Sequence, residues 1–162
     1  SASAGWEYDI LAPGFKYNMP DINAAIGLAQ LERADEYRRE RQRCAERYYA
    51  ALKDIEEIDL PSCNGPFEEH AWHLYWIVLN DKANISRDVL IKEMKEAGIG
   101  TSVHYKPLHR MTYYRDRYRL EPSSFPNAER HWRGVVSLPI YPSLLGEEIE
   151  YICKVIKGTI AH

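Results

Sequence analysis

The residues that invite a chemical reading begin at Lys16 and Asn18, in the stretch "GFKYNMP". They alternate with Phe15, Tyr17 and Met19, so the segment reads as extended, with one polar and one apolar face. Pro20 and Asp21 follow as a helix start, the proline needing no N–H partner and the carboxylate favouring the positive helix end. An ammonium and an amide are thus carried on one face to the mouth of a helix; the plain alternative is a solvated surface charge. A second group is His104 and His109, in "VHYKPLH". They follow a predicted strand, where ligand-binding loops of α/β folds sit, and the alternative is a hydrogen-bonded pair at a domain edge. A third, His70 and His73 in "HAWH", suggests metal only weakly. Residues three apart on a strand point to opposite faces, and no carboxylate or cysteine stands nearby at ligand spacing, so no metal is expected.

Other chemistry has no signature. The chain carries no nucleophile elbow, P-loop or dinucleotide glycine fingerprint. Gly98 and Gly100 lie between a helix and a strand, the wrong way round for a dinucleotide turn. The pairs Glu56–Glu57 and Glu147–Glu148 are adjacent residues and read as solvated.

Several elements must position the candidates. From Pro20 to about Ile55 the pattern predicts one long helix, without proline after Pro20 and with Gly27 as its single glycine. It is apolar at its start, charged through "ERADEYRRERQR", and striped again at Cys44, Ala45, Tyr48, Tyr49 and Leu52. A helix apolar at both ends and wet between them bridges two bodies, and only the second body follows in this chain. That body reads as α/β, with a small antiparallel or mixed sheet covered by helices. Ala71–Leu79 is a strand apolar on both faces, hence central. Ser86 caps a helix that stops at Gly98. Ile99–Tyr105 is a second strand, and "KPLHRMTYYRDRY" a loop or short helix. "NAERHWRG" is a helix entering the third strand, "VVSLPIYP", and Leu145–Ile160 closes the chain as a helix.

Composition bounds the rest. A chain of 162 residues with 45% hydrophobic and 28% charged residues is globular. A net charge of −3 provides no basic field for nucleic acid, and nothing reads as a membrane span or signal peptide. The three cysteines are widely spaced, as expected of free thiols in a reducing cytoplasm.

The run "GFKYNMPDINAAIGLAQLERADEY", then "HAWHLYWIVL", "GIGTSVHYKPLH", "YYR" and "VVSLPIYPSL" resembles the C-terminal part of the DegT/DnrJ/StrS family, in order and spacing. These are pyridoxal-phosphate (PLP) enzymes of the aspartate-aminotransferase fold, mostly aminotransferases of nucleotide-linked keto sugars in lipopolysaccharide or surface-glycan pathways. The resemblance implies that residues 1–19 enter the active site of the neighbouring subunit in a homodimer, that 20–55 bridge, and that 56–162 form the small domain. It implies that Lys16 and Asn18 meet the PLP phosphate or the substrate. The family's usual amide and basic residue stand here in exchanged positions. Charge-assisted hydrogen bonds to a phosphate are about twice as strong as neutral ones. His104, Tyr105, His109 and Tyr114 are implied as a wall for the nucleotide-sugar substrate. The Schiff-base lysine and the large PLP-binding domain lie outside this chain, so it is expected to be catalytically inert alone and not to bind PLP by itself. Two alternatives stand: a sugar dehydratase of the same family, and a binding or dimerisation module without chemistry.

Overall fold

Pro20 precedes the first helix with extended backbone, and its carbonyl accepts the Ala24 N–H at 3.0 Å. The structure, a computed structural model, describes residues 11–63 and 65–161. The first ten residues of the expected incoming segment and Asn64 lie outside that range. The chain divides between Ala34 and Asp35 into two compact units.

In the first unit, residues 11–20 hold neither helix nor strand, and α1 spans Asp21–Leu31. The Phe15 and Tyr17 rings lie 5.7 Å apart, as positions two apart in an extended segment should. No residue of α1 is buried, and Ile22, Ile26, Leu28 and Leu31 are all exposed.

The single helix expected from Pro20 to about Ile55 is two helices. Glu32 and Arg33 form a turn, and α2 runs Ala34–Leu52. No proline or glycine marks this break. Asp35 and Glu36 occupy the first turn of α2, where acidic side chains stabilise a new positive helix end.

The second unit is built on a three-stranded antiparallel sheet in the order β1 (Ile58–Asp59), β2 (Tyr75–Leu79), β3 (Val135–Leu138). β2 is central, as its two apolar faces predict, and pairs Tyr75 with Leu138 and Val78 with Val135. One face carries Tyr75, Ile77 and Leu79 into the main core with Cys44, Ala45, Tyr48 and Leu52 of α2. Tyr49, expected in the same stripe, is exposed beside Leu60 and Pro61. Helix α3 (Arg87–Glu96) adds Leu90 and Met94, and α6 (Gly146–Ile160) adds Ile149, Ile152, Cys153, Ile156 and Ile160. Each such side chain removed from water contributes about 1.5–3 kcal/mol before entropy is counted. The opposite face meets α5 (Pro126–Gly134), where His131 packs edge-on to Trp76 at 5.1 Å.

The strand expected over Ala71–Leu79 begins four residues late. Trp72 has φ 46°, a left-handed value that breaks an extended ladder, and its N–H is taken by His70 Nδ1 at 2.9 Å. The strand expected over Ile99–Tyr105 is reduced to one bridge, Ser102 to Ser137. Helix α3 is bounded as its residues predict: Ser86 Oγ accepts the Val89 N–H at 3.3 Å, and Gly98 follows with φ 77°.

Candidate functional site

The loop from Ser102 to Arg110 is anchored at both ends by one stretch of chain, α5 and β3. At its first end, Ser137 supplies two backbone bonds. Its N–H donates to the Ser102 carbonyl at 2.8 Å, and its carbonyl accepts the Ser102 N–H at 3.2 Å. Its hydroxyl then hydrogen-bonds with His104 Nδ1 at 2.8 Å. Ser137 is the one polar residue of an otherwise apolar, fully buried strand.

At its other end the loop is held by Glu129. A short 3-10 turn, Leu108–Arg110, places His109 and Arg110 side by side against α5. His109 Nε2 donates to Glu129 Oε1 at 2.6 Å, Arg110 Nε donates to the same oxygen at 2.6 Å, and Arg110 Nη2 donates to Oε2 at 2.6 Å. The His109 ring stacks on Phe125, 4.6 Å between centroids and 10° from parallel. His109 and Glu129 are 4% and 5% exposed, so neither reaches far into solvent. The Arg110 guanidinium, then the His109 donor, holds the Glu129 carboxyl down to about 2 from its ordinary 4.5. Being ionised, it only accepts, so the His109 proton must sit on Nε2.

The sign of that shift fixes a pH dependence. A carboxyl whose folded pKa is depressed contributes stability above its ordinary value and loses it as pH falls through the folded one. The melting temperature of the chain is expected to fall between pH 4.5 and about 2 more steeply than that of Glu129→Gln, which starts lower and varies less. Parallel slopes in thermal melts across that window would contradict this.

Between its anchors the loop presents side chains outward. Tyr105 is 74% exposed, with its ring edge-on to His104 at 4.8 Å, and Lys106 is exposed beside it. Tyr114, on the helix that follows (α4, Thr112–Tyr118), is also exposed. The structure therefore joins His104, Tyr105 and His109 in one loop with Tyr114 close behind in sequence, but it turns His109 inward. Lys16 and Asn18 stand in the other unit, on the exposed 11–20 segment, with no hydrogen-bond or ion-pair partner among the described residues. Glu129 and Ser137 were not expected from the sequence. A lone serine in "VVSL" and an acidic residue in a helix abutting the sheet were the available signals.

Two of the three thiols, Cys44 and Cys153, are buried. Burial pushes the Cys153 thiol up to about 11 and also raises Cys44, which removes both as nucleophiles at neutral pH. Among the described residues no group of three or more His, Cys, Asp or Glu is gathered to hold a metal. None of their helices is long and apolar enough to cross a membrane.

Comparison with known proteins follows the same segments. Residues 2–157 match the DegT/DnrJ/EryC1/StrS aminotransferase family. The chain is 35% identical, over 162 residues, to the spore coat polysaccharide biosynthesis protein SpsC of Bacillus subtilis, covering 99% of this chain and 41% of SpsC. A DegT/DnrJ/EryC1/StrS aminotransferase from Brucella abortus superposes with a TM-score of 0.79 at 29% identity, over 98% of this chain and 40% of that one. Helicobacter pylori PseC, an aminotransferase of pseudaminic acid biosynthesis, shares the fold with a TM-score of 0.84 at 24% identity, over 98% of this chain and 42% of that one. The chain thus spans about two-fifths of the length of these relatives.

Proposed function

The chain belongs to the DegT/DnrJ/EryC1/StrS aminotransferase family, and from that premise we propose that it is the C-terminal part of a longer PLP-dependent enzyme. That enzyme transfers an amino group, with glutamate as donor, to a nucleotide-linked keto sugar of a surface-glycan or lipopolysaccharide pathway. The reading is carried by one observation: the match over residues 2–157 takes in both the exposed Lys16–Asn18 segment and the anchored 102–110 loop.

Lys16 and Asn18 fit a phosphate by the chemistry of their donors. An ammonium supplies charge-assisted hydrogen bonds and the amide N–H₂ a directional donor. When bound, PLP would supply the carbonyl chemistry that exchanges an amine for a ketone. This chain's own contribution is to hold the phosphate from the neighbouring subunit and to wall the sugar with His104, Tyr105 and Tyr114. The lysine that moves the substrate proton belongs to the large domain, outside these residues, so the chain alone is inert. The exposed apolar side chains of α1, Ile22, Ile26, Leu28 and Leu31, are the surface on which a homodimer of that enzyme would close.

The test is PLP affinity in the longer enzyme. Lys16→Ala or Asn18→Ala is expected to weaken PLP binding about tenfold or more, the loss of one hydrogen bond to a charged group. The exchanged double variant, Lys16→Asn with Asn18→Lys, should keep most of the affinity, because both donors remain on one face. Unchanged affinity in both single variants would count against the phosphate role.

A further inference from the structure

We propose that Glu129 is the positioning residue of the 102–110 loop, and that His109 acts by anchoring this loop and not by touching the substrate. The proposal rests on the reading of Tyr105 and its neighbours as the sugar wall. The geometry points to it in three ways. First, Glu129 uses both carboxylate oxygens on consecutive residues of one loop, His109 and Arg110. Bidentate recognition of a guanidinium by a carboxylate fixes orientation as well as distance. Second, His109 has no free face: Nε2 is spent on Glu129, one ring face is covered by Phe125, and the residue is 4% exposed. Third, the other end of the loop is tied to Ser137, eight residues after Glu129 on the same α5–β3 run. One rigid stretch therefore sets both ends, and Tyr105 and Lys106 are displayed between two clamps.

Such an arrangement suits a surface that must meet a substrate in one pose. Small misplacements of groups that contact a reacting substrate can cost up to about a hundredfold. A carboxylate that orders the whole loop in advance removes that cost from the binding step. Its loss should therefore weaken sugar binding while leaving chemistry at saturation less affected.

Two measurements decide it. In the longer enzyme, Glu129→Gln is expected to raise KM for the nucleotide keto sugar roughly tenfold to a hundredfold, with a much smaller change in kcat. His109→Gln should raise it similarly, and the double variant should be no worse than the worse single one, since both break the same clip. If His109→Gln is far more damaging than Glu129→Gln, and the two effects multiply, His109 touches the substrate and the proposal fails. The second measurement uses the 162-residue chain and needs no activity. Imidazole nitrogen NMR should show the His109 Nε2 protonated, and Glu129→Gln should move the backbone amides of Tyr105 and Lys106. An unprotonated Nε2, or amides that do not move, would overturn the clip. If the clip is seen but the wild-type enzyme transfers no amino group, the proposed function falls while the positioning role stands.

Discussion

Gly134→Ala should cost the second unit about 3 kcal/mol, near the upper end of what overpacking a close contact does, and lower its melting temperature by roughly 10 °C. Gly134 closes α5 and hands the chain directly to β3. A methyl group there would meet the carbonyl oxygen of Leu79 and, at 2.9 Å, both the Leu79 nitrogen and Val78 Cγ1. Those atoms cannot swing aside as the end of a long side chain would. Leu79 is paired with Ile58 of β1, and Val78 with Val135 of β3, so relief of the clash has to move the centre of the sheet. The glycine is required by the closeness of helix and strand and not by an unusual φ. Gly158→Ala is the matched control. It lies in α6, where an added Cβ meets nothing within 4 Å, and should gain up to about 1 kcal/mol from helix propensity. Urea denaturation of the two variants beside the parent checks both. Equal midpoints for Gly134→Ala and the parent would show that the helix–strand approach is looser than described.

Removal of Tyr48 should be still more damaging, about 3–5 kcal/mol for Tyr48→Ala. The side chain is fully buried where α2 meets the sheet, and its ring stacks on Tyr75 at 4.9 Å. Its hydroxyl donates to the Pro139 carbonyl at 2.9 Å, just past β3, and burial raises its pKa far out of the working range. Tyr48→Phe keeps the ring but strands that carbonyl, a loss of about 1–2 kcal/mol. Tyr75→Phe is expected to behave differently. The Tyr75 hydroxyl is buried and has no partner among the described residues, so its removal should be neutral or stabilising. The order of urea midpoints is therefore Tyr75→Phe at or above the parent, then Tyr48→Phe, then Tyr48→Ala. Tyr48→Phe at the parent's midpoint would mean that the Pro139 bond contributes nothing.

These residues also show how much was legible beforehand. The central position of β2 followed from the run Ala71–Leu79, because a strand apolar on both faces must be covered on both. Ser86 and Gly98 bounded α3 through local backbone chemistry alone. A small sheet under helices was expected because short apolar runs alternate with amphipathic helices; its strand direction was left as antiparallel or mixed, and the observed pairs are antiparallel.

What was misread depended on contacts distant in sequence or on single torsions. Trp72 at positive φ shortens β2, and no residue type announces that in advance. The turn at Glu32 and Arg33 has no proline or glycine, so charged helical residues ran on unbroken in the pattern. β1 is two residues long and exists only because Ile58 and Asp59 find Leu79 and Val78. At the candidate site, His104 was singled out because it follows an expected strand and Tyr105 only through the family resemblance, whereas Glu129 lies 20 residues from the histidine it holds. Its role is created by folding, and so is the inward turn of His109.

The most direct test of the account is cofactor spectroscopy on the longer enzyme, with PLP bound. Glutamate alone should change the cofactor's absorbance, and a nucleotide-linked keto sugar should then restore it, with an amino sugar as product. Loss of a sugar hydroxyl without gain of an amino group would identify a dehydratase instead. Failure to bind PLP, or a spectrum indifferent to every amino donor, would contradict the enzyme reading and leave this chain as a binding or dimerisation module.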